Sequence, residues 1–339
     1  MVCVTAQHRQ TLDQPLELFD IKPDHDLDIM TAGQSLAGVT SKAVEGLDRV
    51  IAKEKPDWVL VQGDTTTAFS GALAAFYQRV KVGHVEAGLR TWDKWSPYPE
   101  EINRCLVGQL ADYHFAPTDR SKNALLREGF DEKNIFVTGN TVIDALLWAR
   151  GKLDNYEIEL PDGLQEKLAD KRVVLVTGHR RESFGEGFIN ICKAIKRVAD
   201  ELEDVTFVYP MHMNPNVRAP VNETLQGHNR IHLIEPLTYM PFVWLMNKAD
   251  VVLTDSGGVQ EEAPSLGKPV LVMRNTTERP EGVDAGNARL VGTDLDAIVS
   301  SLHELLSDKD AYNAMASVKN PYGDGTSAQQ IIDLIAATN

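Results

Sequence analysis

Short apolar runs separated by amphipathic segments recur along almost the whole chain, and this alternation restricts the fold more than any single motif. Runs that read as strands fall at 2–5, 57–62, 81–85, 113–116 and 135–138, and again at 173–177, 206–209, 232–234, 251–254 and 270–273. Between them, 35–53, 66–78 and 187–202 carry apolar residues at helical spacing. Strands alternating with helices make parallel sheets covered on both faces. Val173-Val174-Leu175-Val176 is apolar without a break, as a strand buried on both sides must be. The rhythm is interrupted near 150–171 by Leu153-Asp154-Asn155-Tyr156-Glu157 and Pro161-Asp162-Gly163, which are polar or turn-forming. The expectation is α/β: two Rossmann-like doubly wound domains, 1–150 and 172–325, facing a cleft and joined by a linker at 151–171. Ligands of such sheets bind beyond the carboxyl ends of the strands.

The formal net charge of -15 over 339 residues argues against nucleic acid or a membrane surface as partner, since both are polyanions. An anionic small ligand would need a local basic cluster. Cys3, Cys105 and Cys192 lie far apart, which suggests neither a disulfide framework nor a zinc site, and no metal is expected. No signal-peptide pattern is seen, and no apolar run approaches the roughly 20 residues that span a bilayer. A cytoplasmic protein is the expectation.

Polar clusters follow several of the strands. After Val251-Val252-Leu253 comes Thr254-Asp255-Ser256-Gly257-Gly258-Val259-Gln260-Glu261-Glu262, a glycine corner leading into a helix at 259–266. Glycines there let a diphosphate approach the backbone, and the first N–H groups of the helix point at it. Glu262, one turn in, is placed to accept hydrogen bonds from sugar hydroxyls. The bland alternative is an ordinary strand–helix corner. Thr177-Gly178-His179-Arg180-Arg181-Glu182 supplies the basic cluster, and cations opening a helix would oppose its dipole unless a ligand offsets them. Gly63-Asp64-Thr65-Thr66-Thr67 and His84-Val85-Glu86-Ala87-Gly88-Leu89-Arg90 follow two strands of the first half. Glu100 and Arg104 stand four apart on one helix face. Asp64 as a helix N-cap and Glu100–Arg104 as a surface ion pair are the bland readings. Three carboxylates at strand ends of one domain also suit acid–base chemistry, which needs their pKa values split. Phe242 and Trp244 can stack on a base, although most apolar residues around them belong to the core.

Together, and in this order, these motifs with Glu278-Arg279-Pro280-Glu281 resemble the non-hydrolysing UDP-N-acetylglucosamine 2-epimerases of bacteria. The resemblance implies a fold of glycosyltransferase-B type, usually a homodimer, whose last helix (326–339) completes the first domain. It implies UDP-N-acetylglucosamine and UDP as ligands, with no metal or redox cofactor. The C2 proton is not next to a carbonyl, so the implied route expels UDP from C1 as that proton leaves, then adds UDP back with protonation from the other face. By the same resemblance Asp64, Glu86 and Glu100 are the acid–base candidates. His179 and Arg104 would stabilise the departing diphosphate, Ser256, Gly257 and Gly258 would hold it, and Glu262 would bind the ribose. Arg180, Phe242 and Arg279 match positions lining the nucleotide site. Gln7, Gln10, Arg180 and His212 match a second, activating UDP-N-acetylglucosamine site of some members.

The family opens with a strand and a Gly-Thr-Arg-Pro-Glu segment whose arginine, with a following lysine, serves the active site; neither has a counterpart in this sequence, and 2–5 matches the family's second strand. The expectation is that the 339-residue chain lacks its first strand unit and turns over weakly, while its second domain still binds UDP. A glycosyltransferase of the same fold and a non-catalytic UDP-sugar binding protein are the rival readings.

Overall fold

Strands and helices alternate as the apolar rhythm requires. The computed structural model describes residues 1–6, 9–31, 33–161 and 163–338, the side chains of 9–11 excepted. Two units emerge: Met1–Thr141 together with the segment from Thr326 onward, and Val142–Gly325.

In the first unit, β1 (Cys3–Val4) and β2 (His25–Asp26) form a parallel pair. Next come β3 (Trp58–Gln62), β4 (Lys81–Val85), β5 (Tyr113–Ala116) and β6 (Ile135–Val137), a separate parallel sheet in the order β3-β4-β5-β6. Among the described residues no ladder joins β1 to β3. A slot of about 440 Å³ opens there, lined among others by Cys3, Ile51, Trp58, Leu60 and Val61. Leu60 is 48% exposed in it. The helix Leu36–Glu54 starts on Ser35, whose hydroxyl accepts from Gly38 N–H, and it turns Val39, Ala43, Leu47 and Ile51 inward. The helix Thr66–Tyr77 packs close on small residues: a Cβ at Gly71 would stand 3.0 Å from a Val61 methyl. The final helix, Ser327–Ala336, buries Ile331 against Val85 and Phe115.

The second unit holds one six-stranded parallel sheet. Its strands are β7 (Arg172–Thr177), β8 (Val205–Pro210), β9 (Ile231–Ile234), β10 (Val251–Thr254), β11 (Val270–Val272) and β12 (Ala288–Leu290), in the order β12-β11-β10-β7-β8-β9. Val173 to Val176 are buried in β7, and the flanking helix Glu186–Glu201 adds Phe188, Ile191, Ile195 and Val198 to the core. Strand order reverses between β7 and β10, and a doubly wound sheet opens its crevice at that point.

Most strands lie within a residue or two of their expected bounds; β2 and β12 were not anticipated. The division falls at Thr141/Val142, not at 150. Residues 151–171 are no open linker: Leu164 and Leu168 are buried, and Lys248 Nζ donates to the Ala169 carbonyl. The helix Thr141–Lys152 likewise buries Ile143, Leu146 and Ala149. Among the described residues no helix is long and apolar enough to cross a membrane.

Candidate functional site

In the second unit Thr177 stands opposite Thr254, so the loops after β7 and β10 leave the sheet side by side. Ser256 is extended, and the helix Gly257–Glu262 begins at once, two residues before the sequence suggests. It tightens to a 3-10 turn over Ala263–Leu266 and ends on Gly267, whose φ of +67° suits glycine. No side-chain cap bond from Ser256 satisfies the first amides of this helix. A Cβ built on Gly257 would lie 3.9 Å from Arg279 Cζ and 4.0 Å from Arg180 Nη2, so two guanidinium groups bracket the glycine corner. This is the local cationic cluster that an acidic chain needs to hold a phosphate. Arg181 opens only the one-turn 3-10 helix Arg181–Ser183, while the long helix starts at Glu186, so the arginines do not oppose its dipole.

Internal carboxylates hold two of the guanidinium groups in this region. Arg279 pairs with Glu261. Buried Arg274 gives Nε to Glu182 Oε1 at 2.5 Å and Nη1 to Glu278 Oε2 at 2.6 Å, joining the segments that carry Arg180 and Arg279. Burial alone would raise Glu278, but its bond to Arg274 outweighs that and holds it at about 2. Glu262 is pushed up to about 7, first by burial and then by neighbouring Glu261, against a weak 3.4 Å bond from the Tyr239 hydroxyl. Near neutral pH its protonated form, which can donate as well as accept, is therefore populated. Phe242 lies half-buried on the helix Tyr239–Lys248.

Asp255, 1% exposed, ties the two loops together. Its Oδ2 accepts from the backbone N–H of His179 at 2.7 Å and of Arg180 at 2.8 Å. The His179 ring stacks on His212 with centroids 5.2 Å apart. Burial lowers the His179 pKa, the charges of His212 and Arg180 add to this, and Asp255 opposes it.

In the first unit Gln62 pairs with Val85, so Asp64 and Glu86 project from neighbouring strand ends. A Cβ on Gly63, itself at φ +69°, would stand 3.5 Å from Glu86 Oε2. Glu86 adopts φ +63°, a left-handed conformation that strains a residue with a side chain and is held where the surroundings over-determine it. Arg104 grips Asp64 Oδ2 through Nε at 2.9 Å and Nη2 at 2.7 Å, and Asn103 donates to the Asp64 carbonyl. Among the described residues the bland alternative, a Glu100–Arg104 ion pair, does not form; Arg104 also pairs with Glu101, at 2.8 Å. Glu101 sits on the inward face and also accepts from the amides of Thr91 and Trp92, while Glu100 heads the helix Glu100–Leu110, half-buried. Nor does Asp64 cap a helix: Thr65 does, accepting from Ala68 N–H. His84 is kept neutral by burial, with a pKa of about 4, and its Nε2–H donates to the Gly63 carbonyl.

Sequence reading therefore missed Glu101, whose role follows from burial, and Asp255, Arg274 and Tyr239, each with a partner distant in the chain. Of the second-site residues, Gln7 and the side chain of Gln10 lie outside the described residues. Arg180 stands at the glycine corner, and His212 stacks on His179.

One unit with clamped carboxylates at its strand ends, and another whose Rossmann-like sheet carries a glycine corner between arginines, define a two-unit α/β protein of the nucleotide-binding class. The model of the family described as UDP-N-acetylglucosamine 2-epimerase matches residues 1–336. A UDP-N-acetylglucosamine 2-epimerase of Escherichia coli is 57% identical over 337 residues, covering 98% of this chain and 90% of its own length. The Neisseria meningitidis UDP-GlcNAc 2-epimerase, solved bound to UDP-GlcNAc, is 48% identical with a TM-score of 0.87, covering 99% of this chain and 91% of that one. The Methanocaldococcus jannaschii enzyme, solved with UDP-GlcNAc and UDP, is 34% identical with a TM-score of 0.77, with coverages of 99% and 91%. The chain belongs to the UDP-N-acetylglucosamine 2-epimerase family.

Proposed function

We propose that this protein interconverts UDP-N-acetylglucosamine and UDP-N-acetylmannosamine by eliminating UDP from C1 and adding it back. The observation that carries the reading is Asp64 beside Glu86 on adjacent strand ends, one clamped by Arg104 and the other held in a strained backbone. Two carboxylates in different surroundings can divide the removal and return of the C2 proton, with Glu100 as the third candidate acid. In the second unit the corner Ser256-Gly257-Gly258, with Arg180 and Arg279, holds the diphosphate, His179 stabilises it as it departs, and Glu262 and Phe242 receive the nucleoside. Arg104 has two carboxylate partners in this structure. Its part in the reading is therefore to hold Asp64 rather than to bind phosphate. The chemistry balances without an added cofactor, since the proton and UDP that leave both return.

Relatives solved with UDP-GlcNAc and UDP support the ligands. We further propose cytoplasmic action as a homodimer in the supply of activated mannosamine for surface polysaccharide. The paired helices Thr66–Tyr77 and Glu100–Leu110 expose Phe76, Tyr77, Ile102 and Leu106, an apolar face suited to a second copy, and sedimentation velocity tests this. The reaction is tested by incubating UDP-N-acetylglucosamine in deuterated water without acceptor. Deuterium at C2 with appearance of the manno epimer is expected, and even slow turnover accumulates it. Unchanged sugar with an acceptor requirement would mean a transferase, and release of free N-acetylmannosamine a hydrolysing enzyme.

A further inference from the structure

We propose that Asp255 is a positioning residue that keeps the His179 ring proton on Nδ1, leaving Nε2 to take up a proton from solvent as a diphosphate binds. This rests on the reading that the second unit holds UDP.

The Asp255 carboxylate is almost wholly buried, and its two oxygens are used unequally. Oδ2 has two backbone donors, at 2.7 and 2.8 Å. Oδ1 is buried with no hydrogen-bond partner, an unfavourable state for a carboxylate oxygen. His179 Nδ1 stands 3.5 Å from it, slightly beyond ordinary hydrogen-bond length. A small ring rotation closes that gap and satisfies the oxygen only if Nδ1 carries the hydrogen. Asp255 also anchors the backbone of residues 179 and 180, which keeps the ring within reach of the carboxylate.

With Nδ1–H committed to Asp255, a neutral ring presents a bare Nε2, which repels a phosphate oxygen. Donation there requires the imidazolium. The groups facing the ring are Asp255 at the end of β10, His212 after β8 and Arg180 in its own loop, while the Tyr209 hydroxyl, from β8, donates to the Gly178 carbonyl. Burial, aided by His212 and Arg180, outweighs Asp255 and lowers the His179 pKa, which favours the neutral ring before a diphosphate binds. The negative charge of the diphosphate reverses that balance, so Nε2 gains a proton and donates it to a phosphate oxygen as a hydrogen bond.

The test uses the full chain with 15N-labelled histidine, the His179 signals being assigned by His179→Gln. At mildly alkaline pH free wild type should show the Nδ1–H tautomer, and saturation with UDP should protonate both nitrogens. Calorimetry in buffers of different ionisation enthalpy should then report uptake of roughly one proton per UDP. In Asp255→Asn the side-chain amide donates to Nδ1, so the ring should switch to Nε2–H and proton uptake should vanish. A purely structural role would change stability without switching the tautomer. An Nε2–H ring in free wild type overturns the proposal even if the variant fails to fold. So does proton uptake unchanged in a folded Asp255→Asn. Wild type that binds no UDP would instead sink the reading of the second unit, whereas UDP binding without proton linkage removes only the role of Asp255.

Discussion

The two units hold their charged groups in opposite senses. In the first, two carboxylates stand at strand ends, and Arg104, 8% exposed overall, is spent inward on Asp64 and Glu101. In the second, carboxylates face inward and the guanidinium groups of Arg180 and Arg279 flank a bare glycine. The frameworks differ as well. The second unit has a continuous six-stranded sheet with its centre buried on both faces; the first has its strands in two pieces with a slot beside β3. The contrast teaches that acid–base chemistry and anion binding place different demands on a fold. Backbone amides bind phosphate through a rigid corner, whereas a working carboxylate needs a partner that fixes its position without quenching it.

The sharpest way to break this division is Asp64→Asn. Turnover should fall by about 10²–10⁴-fold, as for removal of a general acid or base, while UDP affinity measured by calorimetry stays within about twofold. Loss of UDP binding would show that the units do not divide the task as described. The frameworks can be compared by truncation. Leu175→Ala, in fully buried β7, should lower urea stability by about 2–5 kcal/mol, and Leu60→Ala, half exposed on the slot, by less than about 1 kcal/mol. Equal losses would mean that the slot is closed in solution.

Glu262 gives a pH signature of similar size, confined to the second unit. Its folded value of about 7 exceeds the ordinary 4.5, so the folded state keeps a proton that the unfolded chain releases. Stability therefore falls as pH rises from about 4.5 to 7, by about 3 kcal/mol in all, and Glu262→Gln should abolish that slope in pH-dependent denaturation curves. A wild-type curve without the slope would place the carboxylate in contact with water. Smallest is Gly257→Ala. The added methyl meets the two guanidinium groups at ordinary contact distance, so the fold should survive. UDP affinity should drop about tenfold, or about 1.4 kcal/mol, in the same calorimetric assay.

Much of the framework was legible because β7 and its neighbours are continuous apolar runs, and the glycine corner and the basic loop could be placed at strand ends. What escaped was short or long-range. β2 is two residues and β12 three, with an arginine in the middle, too little pattern to separate from loop. Spacing alone cannot choose between Glu100 and Glu101 as a partner for Arg104; burial can, because it turns Glu101 inward. Asp255 has nothing local to mark it, since its partners lie on a loop some 75 residues away. The raised pKa of Glu262 likewise follows from enclosure rather than from adjacent sequence.

The helix Ser327–Ala336 places Ile331 against Val85 and Phe115. A ribosome delivers the strands of the first unit long before it delivers that helix, so the earlier-made half must wait with part of its interior uncovered. The later-made half, one uninterrupted stretch of chain from Val142 to Gly325, has no such delay. Order of synthesis and order of completion are thus reversed between the halves, and the unit bearing the acids is the last to close.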